Sequence, residues 1–338
     1  MIQLRIVLER GDKVELPAKQ RGVALILVLF VTVLIVIVTT GMVRQQHLFV
    51  RKSANLFSQA QMMELAISAE LFARAGLTRD FDEDKKNKKM IDHEKEVWAE
   101  YAATFPMELG TIEMQVDDLQ GRFNINDLID HDGKIEPVML KRFQALLDGL
   151  GVVSINAEKV ADWVDADQES YRYKGAEDDV YLVQELPYRT PNSEIADSSE
   201  LLMLQDIADE DYRKLLPYIS ALPRSTTGLN VNTCSPQLLM TLTPNLTKEM
   251  ADAIVETRQT GAFATVADFL KQPGLEKIKE KTDLAVATQY FLISIRVIIA
   301  DKTLRLVSKV YRGDDGKTVL LGRDFGQKYI INKQQVLL

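Results

Sequence analysis

The sequence predicts an α+β fold: a long N-terminal helix packed on a small antiparallel sheet, with a large all-helical domain inserted between the strands. Three observations carry this expectation. An uninterrupted apolar run near the start passes into an amphipathic helical pattern. Alternating apolar and polar residues mark strands near residue 115 and again after residue 290. Between those strands lies a long stretch of helical periodicity with an internal echo.

Residues 22–43 contain no charge, and Arg44 closes the run. A bilayer core of about 30 Å needs about 20 apolar residues of helix, so this run is long enough to cross one. Its apolar residues fall on every face, which excludes an ordinary amphipathic surface helix. From Arg44 to Leu77 there is no proline, and Leu48, Phe49, Leu56, Phe57, Ala60, Met63, Ile67, Leu71 and Phe72 recur at helical spacing. One continuous helix is expected, half in the bilayer and half outside it. Residues 79–89 mix charges of both signs, the pattern of a solvated loop or helix end. Residues 92–105 read as a further helix with Val97, Trp98 and Tyr101 on one side.

Residues 110–117 alternate with the period of a half-buried strand, 118–121 form a turn, and 122–126 are a second short strand. Asp127 is placed to cap the helical stretch after that strand. The phrase Phe123-Asn-Ile-Asn-Asp127 recurs as Leu229-Asn-Val-Asn-Thr233, each time leading into helical segments. The first copy is followed by 138–150 and 157–164, the second by 236–242 and 248–257, with Pro236 at a first helical position after Ser235. Near the end, 291–299 and 303–311 flank Asp301 and Lys302 as a hairpin, and 318–321 form a third strand after the Asp314-Asp-Gly316 turn.

Composition narrows the chemistry. The net charge is −8, and the first 22 residues carry five basic and three acidic groups, so the remainder stands at −10. An acidic domain is a poor partner for nucleic acid, where neutralising phosphates dominates affinity. Cys234 is the single cysteine, which forbids an internal disulfide. His47, His93 and His131 lie far apart without ligand spacing, which argues against a zinc enzyme. No nucleophile phrase accompanies the histidines, and no enzymatic activity is expected.

The strongest candidate site is the acidic loop Asp162-Trp-Val-Asp165-Ala-Asp167-Gln-Glu169, followed by Gly175-Ala-Glu177-Asp178-Asp179. Hard cations such as calcium take six to eight oxygen ligands, often from loops of this composition. Read as an EF-hand from Asp165 it fails, because Ser170 stands at the turn and Ala176 at the bidentate position. The residues alone leave it open between a cation site and a solvated loop with capping carboxylates. Asp130-His-Asp-Gly133 reads as a turn stabilised by its own side chains. Residues 229–269 resemble helix-hairpin-helix DNA-binding units. Their hairpin, Thr243-Pro-Asn-Leu-Thr247, offers a proline without an N–H and no glycine for close phosphate approach. A membrane-anchored periplasmic DNA-binding protein is therefore the alternative reading, and an anchored hydrolase a further one.

Lys19-Gln-Arg21-Gly22 places its small-residue break before the apolar core, whereas a secretory signal is cut after it. By hydropathy alone the junction reads as a signal-anchor held by Lys19 and Arg21. It also resembles the leader of type IV pilins and type II secretion pseudopilins, which prepilin peptidase cuts, here between Gly22 and Val23. Most pilins carry a glutamate at the fifth mature position, and this chain has Leu27. Asp118-Leu-Gln-Gly-Arg-Phe-Asn-Ile-Asn-Asp-Leu128 resembles the hallmark phrase of K-type minor pseudopilins, the general secretion pathway protein K family. Trp163, Asp165, Asp167, Gly175, Ala176, Glu177, Asp178 and Tyr181 match that family's calcium loop.

The resemblance implies a pilin-like fold and a minor pseudopilin at the tip of the type II secretion pseudopilus, supporting export of folded proteins across the outer membrane. It implies calcium held by Asp165, Asp167, Glu177 and Asp178. It also implies partners among the I- and J-type minor pseudopilins, the major pseudopilin and prepilin peptidase, with no nucleic acid. The chain would cross the bacterial inner membrane once, with its C-terminal domain in the periplasm. The expected organisation is a leader at 1–22, a transmembrane half-helix at 23–43 and an amphipathic half-helix with the first strands at 44–127. An inserted helical domain at 128–285 and closing strands at 286–338 complete it.

Overall fold

The computed structural model describes residues 18–100, 103–108, 110–224, 228–278 and 283–326. The expected leader lies outside them as far as residue 17. Two compact units, Met1–Gln61 and Met62–Leu338, are described separately.

In the first unit the chain is helical from the start of α1 (Ala18–Asn87). It carries the one apolar stretch, among the described residues, that is long enough to cross a membrane. Val23, Leu27, Phe30 and Ile37 are all exposed, as lipid-facing side chains would be. The hydroxyls of Thr32, Thr39 and Thr40 donate to the carbonyls of Val28, Ile35 and Val36 at 2.8, 2.6 and 2.7 Å, so no polar side chain is left for lipid to solvate.

The second unit opens with the amphipathic part of α1, whose residues Met62, Ala66, Ala73 and Leu77 are buried against the sheet. The charged stretch at 79–89 continues that helix almost to its end. The helix expected at 92–105 is shorter than its pattern suggested. Among its described residues only α2 (Val97–Glu100) is helical, and 103–105 belong to the edge strand β1 (Ala103–Met107); Tyr101 lies outside the described residues. Pro106 is tolerated there because an edge strand needs hydrogen bonds on one side only.

β1 pairs with β2 (Gly110–Asp118). Gly110 is required where it stands, since a Cβ would lie 1.9 Å from the Ile298 carbonyl oxygen. The strand at 122–126, expected to follow β2 in the same sheet, is instead β3 (Phe123–Asn124), and it pairs in parallel with β4 (Ile219–Ser220). A matching parallel pair joins β5 (Leu229–Asn230) to β6 (Leu284–Ala285). The inserted block is thus helical with two short parallel pairs rather than all-helical.

Its α-helices, among the described residues, are α3 (Pro137–Leu150) and α4 (Ala157–Val164), then α5 (Asp178–Tyr181) and α6 (Asp209–Leu215). α7 (Pro236–Met240), α8 (Lys248–Thr260) and α9 (Val266–Phe269) follow. Ser235 caps α7 as expected, its side chain accepting from Leu238 N. Asp127 lies inside a 3-10 turn (Ile125–Leu128) rather than at a cap. Asn124 accepts from Asn126 N to open that turn, and Glu136 accepts from Val138 N to open α3.

The chain re-enters the sheet as β7 (Tyr290–Ile299), β8 (Lys302–Arg312) and β9 (Thr318–Asp324), giving the antiparallel order β1-β2-β7-β8-β9. The block is therefore inserted between two neighbouring strands. One sheet face, with Met114, Ile295 and Leu306 in register, packs on α1. On the other, Leu119, Leu292 and Val307 receive Leu222 from the block.

Candidate cation site

The site begins where α4 ends. Asn156 caps the start of this helix through Lys159 N at 2.9 Å, and Val160, Ala161 and Val164 are buried in the block's core. That packing carries Asp162 and Asp165, three residues apart and so on one helix face, into the interior. Asp162 is fully buried, and its carboxylate accepts from Tyr171 N at 3.0 Å and Ala176 N at 2.9 Å. Those bonds fold the acidic loop back on the helix end. Gly175 makes the fold possible, because a Cβ there would stand 2.1 Å from Asp162 Oδ2. The reversal delivers Glu177 beside the two aspartates.

Asp162, Asp165 and Glu177 each present a carboxylate oxygen within 4.8 Å of the others. Asp165 and Glu177 are 3% and 2% exposed, and Asp165 Oδ1 and Glu177 Oε1 have no hydrogen-bond partner. Burial first, and the neighbouring carboxylates second, push Asp162 up to about 6, Asp165 to about 7 and Glu177 to about 8. The bonds from Tyr171 and Ala176 moderate the rise at Asp162. Such a trio must bind protons or a cation near neutral pH. Two buried, unpartnered oxygens with a third carboxylate fit a hard divalent ion, for which carboxylate oxygen is the preferred donor.

The structure brings together two of the four residues expected as ligands, Asp165 and Glu177. Asp167 is exposed, with its Oδ1 accepting from Glu169 N at 2.8 Å and its carbonyl accepting from Asn192 Nδ2. Asp178 is not part of the cluster. Its Oδ1 accepts from Thr190 N at 3.0 Å, and its Oδ2 pairs with Arg189 at 2.9 Å. Asp162 takes the remaining place in the cluster. Its helical spacing from Asp165 is the signal that could have found it.

A second acidic group, Asp80, Asp84 and Glu96, is of another kind. Asp80 accepts from Arg312, Asp84 from Ile91 N, and Glu96 from Trp98 Nε1 and His93 N. These carboxylates tie the end of α1 to the connection that leads into α2. In a cleft of about 790 Å³ lined by Phe123, Met139, Arg142 and Asp283, Arg142 is paired to Asp283 through Nη1, while its Nε has no hydrogen-bond partner. Asp130 holds its own turn as expected, accepting from Asp132 N and Lys134 N at 2.9 Å.

Comparison with known proteins places these features. Family models described as Type II secretion system protein K match residues 121–224 and 229–289. A type II secretion system protein K of Pseudomonas aeruginosa is 37% identical across 91% of this chain and 93% of its own length. One from Klebsiella pneumoniae is 32% identical across 83% of this chain and 87% of its own. Among solved structures, a chain of the GspK-GspI-GspJ complex from the enterotoxigenic Escherichia coli type 2 secretion system matches with a TM-score of 0.70. It is 26% identical, over 82% of this chain and 100% of that one.

Proposed function

The chain belongs to the type II secretion system protein K family, and from that premise we propose that this minor pseudopilin caps the tip of the periplasmic pseudopilus and supports export of folded proteins across the outer membrane. The observation that carries the reading is the insertion of a whole helical block between the adjacent strands β2 and β7 of a helix-backed sheet. In a filament of stacked subunits, that bulk prevents another subunit from being added beyond it. Leu27 supports the same place. Without a carboxylate at the fifth mature position, the subunit cannot neutralise the terminal amine of a neighbour ahead, and an unpaired charge in hydrocarbon is expensive.

Prepilin peptidase would cut between Gly22 and Val23, leaving the apolar helix as a single-pass anchor in the inner membrane, with the sheet and block in the periplasm. The I- and J-type minor pseudopilins are the proposed direct partners, as in the complex that its relative forms, and the major pseudopilin forms the shaft below. Calcium is the proposed occupant of Asp162, Asp165 and Glu177, where it would replace bound protons and hold the acidic loop. Asp167 and Asp178 stay outside that trio. The chain's role is assembly, and it is proposed to act without catalysis.

Immunogold labelling of assembled pseudopili tests the tip position. Label confined to one end of each filament is expected, and label along the shaft would overturn it.

A further inference from the structure

We infer that the return segment of the acidic loop, residues 190–196, is a strap through which a cation at Asp162, Asp165 and Glu177 tightens the helical block onto the sheet, with Lys309 as the sheet's grip on it. This rests on the cation reading proposed above. The strap is fastened at both ends. At the acidic end, the Thr190 hydroxyl lies between Glu177 Oε2 at 3.3 Å and Asp178 Oδ1 at 3.2 Å, sharing its one hydrogen between them, and the Thr190 amide donates to Asp178 Oδ1 at 3.0 Å. Asn192 Nδ2 then donates to the Asp167 carbonyl.

At the far end, Ile195 and Ala196 meet the seam between block and sheet. The Asn126 amide accepts from Ile195 N at 2.8 Å and donates to the carbonyls of Ile195 at 2.9 Å and Leu222 at 2.8 Å. Lys309, on β8, donates to the carbonyls of Ala196 and Ala221, both at 3.0 Å. One ammonium thus ties the strap to the residue next to Leu222, and Leu222 is the block's side chain in the apolar cluster on that sheet face. Holding a half-buried ammonium costs desolvation, which Asp197 and Glu200 partly offset.

The physical link is charge. Without a cation no common positive centre draws the three buried carboxylates together, and Glu177 is left with its contact to the Thr190 hydroxyl. A cation fixes Glu177, and the seven-residue strap, bonded at both ends, carries that constraint towards Ile195. The coupling is reciprocal, so a tight seam also favours the bound cation.

Hydrogen exchange on the full-length protein in detergent micelles, with calcium chloride or EGTA, tests this, with calorimetry of calcium binding run in parallel. The reporters are the amides of Ile195 and of Leu222, which donates to Asn124 Oδ1 at 3.0 Å. In the wild type, calcium is expected to slow exchange at both by roughly fivefold or more, the low end of measured couplings. In Lys309→Met, calcium still binds and still slows Ile195, but the slowing at Leu222 falls by at least half. Binding without any change at Leu222 in the wild type overturns the strap, as does an unchanged effect in Lys309→Met. A flat calorimetric trace overturns the cation reading itself and the strap with it. Lys309→Arg, which keeps the charge and donors, is expected to restore the wild-type pattern if Lys309→Met loses it.

Discussion

Asn126 and Asn232 do the same work in two copies of one structural unit. Asn126 accepts from Ile195 N at 2.8 Å and donates to the Ile195 and Leu222 carbonyls. Asn232 accepts from Phe263 N at 2.9 Å and donates to the Phe263 and Val286 carbonyls at 3.1 and 3.3 Å. Each asparagine follows a short strand that pairs in parallel with a strand returning at the unit's end. Each clamps the segment after the second helix of a pair. In the second copy Phe263 comes almost directly after α8, whereas in the first the whole acidic loop lies between α4 and Ile195. The candidate cation site is an elaboration of one copy of a duplicated frame.

Both asparagines are 1% exposed, so replacing either with alanine strands a buried amide and buried carbonyls. Asn126→Ala and Asn232→Ala are each expected to cost roughly 2–4 kcal/mol, from the desolvation of the abandoned groups. Chemical denaturation of the detergent-solubilised protein checks this. A loss under about 1 kcal/mol for either variant, no more than a typical surface change costs, would contradict the clamp.

The acidic trio predicts a pH dependence that calcium removes. With no cation, Asp165 and Glu177 titrate at about 7 and about 8, above their ordinary values of 3.8 and 4.5. The folded state therefore holds protons that the unfolded chain has already released. Stability from these groups is full below about pH 4 and is lost as pH rises towards 8. Asp80 and Glu96 are raised in the same direction, so the part belonging to the trio is the part that calcium abolishes. Melting curves in EGTA should fall with pH more steeply than those in calcium. Parallel curves would count against the site.

Charge removal separates the trio from its neighbours. Asp165→Asn and Glu177→Gln should weaken calcium binding at least tenfold while raising the melting temperature in EGTA near pH 8, since each relieves like-charge repulsion. Asp178→Asn should leave calcium affinity within about twofold and loosen the Arg189 contact instead. Calorimetry and melting on the same three proteins decide it. Equal losses of affinity in all three would return Asp178 to the ligand set.

Gly175 offers a steric test. A Cβ there meets Asp162 Oδ2 at 2.1 Å and Tyr171 N at 2.6 Å, so Gly175→Ala must displace the loop reversal that brings Glu177 in. The expected result is lost calcium binding in a protein that still folds. Retained affinity would show that the reversal is dispensable.

Processing is read directly by mass. Intact-mass measurement on membrane extracts should place the mature N-terminus at Val23, and Gly22→Val should leave the leader attached. An unprocessed wild-type chain would remove the pseudopilin leader from the account.

Much of the architecture was legible because local patterns express it. An apolar run with no charge can only be a buried or lipid-facing helix, and the period-2 alternation of 303–311 is the sheet's own period. The Asn-x-Asn echo announced a duplicated unit, although not that its second asparagine closes it. What only the tertiary structure decided is convergence across loops. Phe105 joined an edge strand because β2 was there to pair with, and β3 left the main sheet for a partner almost a hundred residues away. Asp162 rather than Asp167 or Asp178 completed the trio because the helix face and the glycine reversal set the direction of those side chains. Local periodicity says which face a residue shares, and only the packed chain says what that face meets.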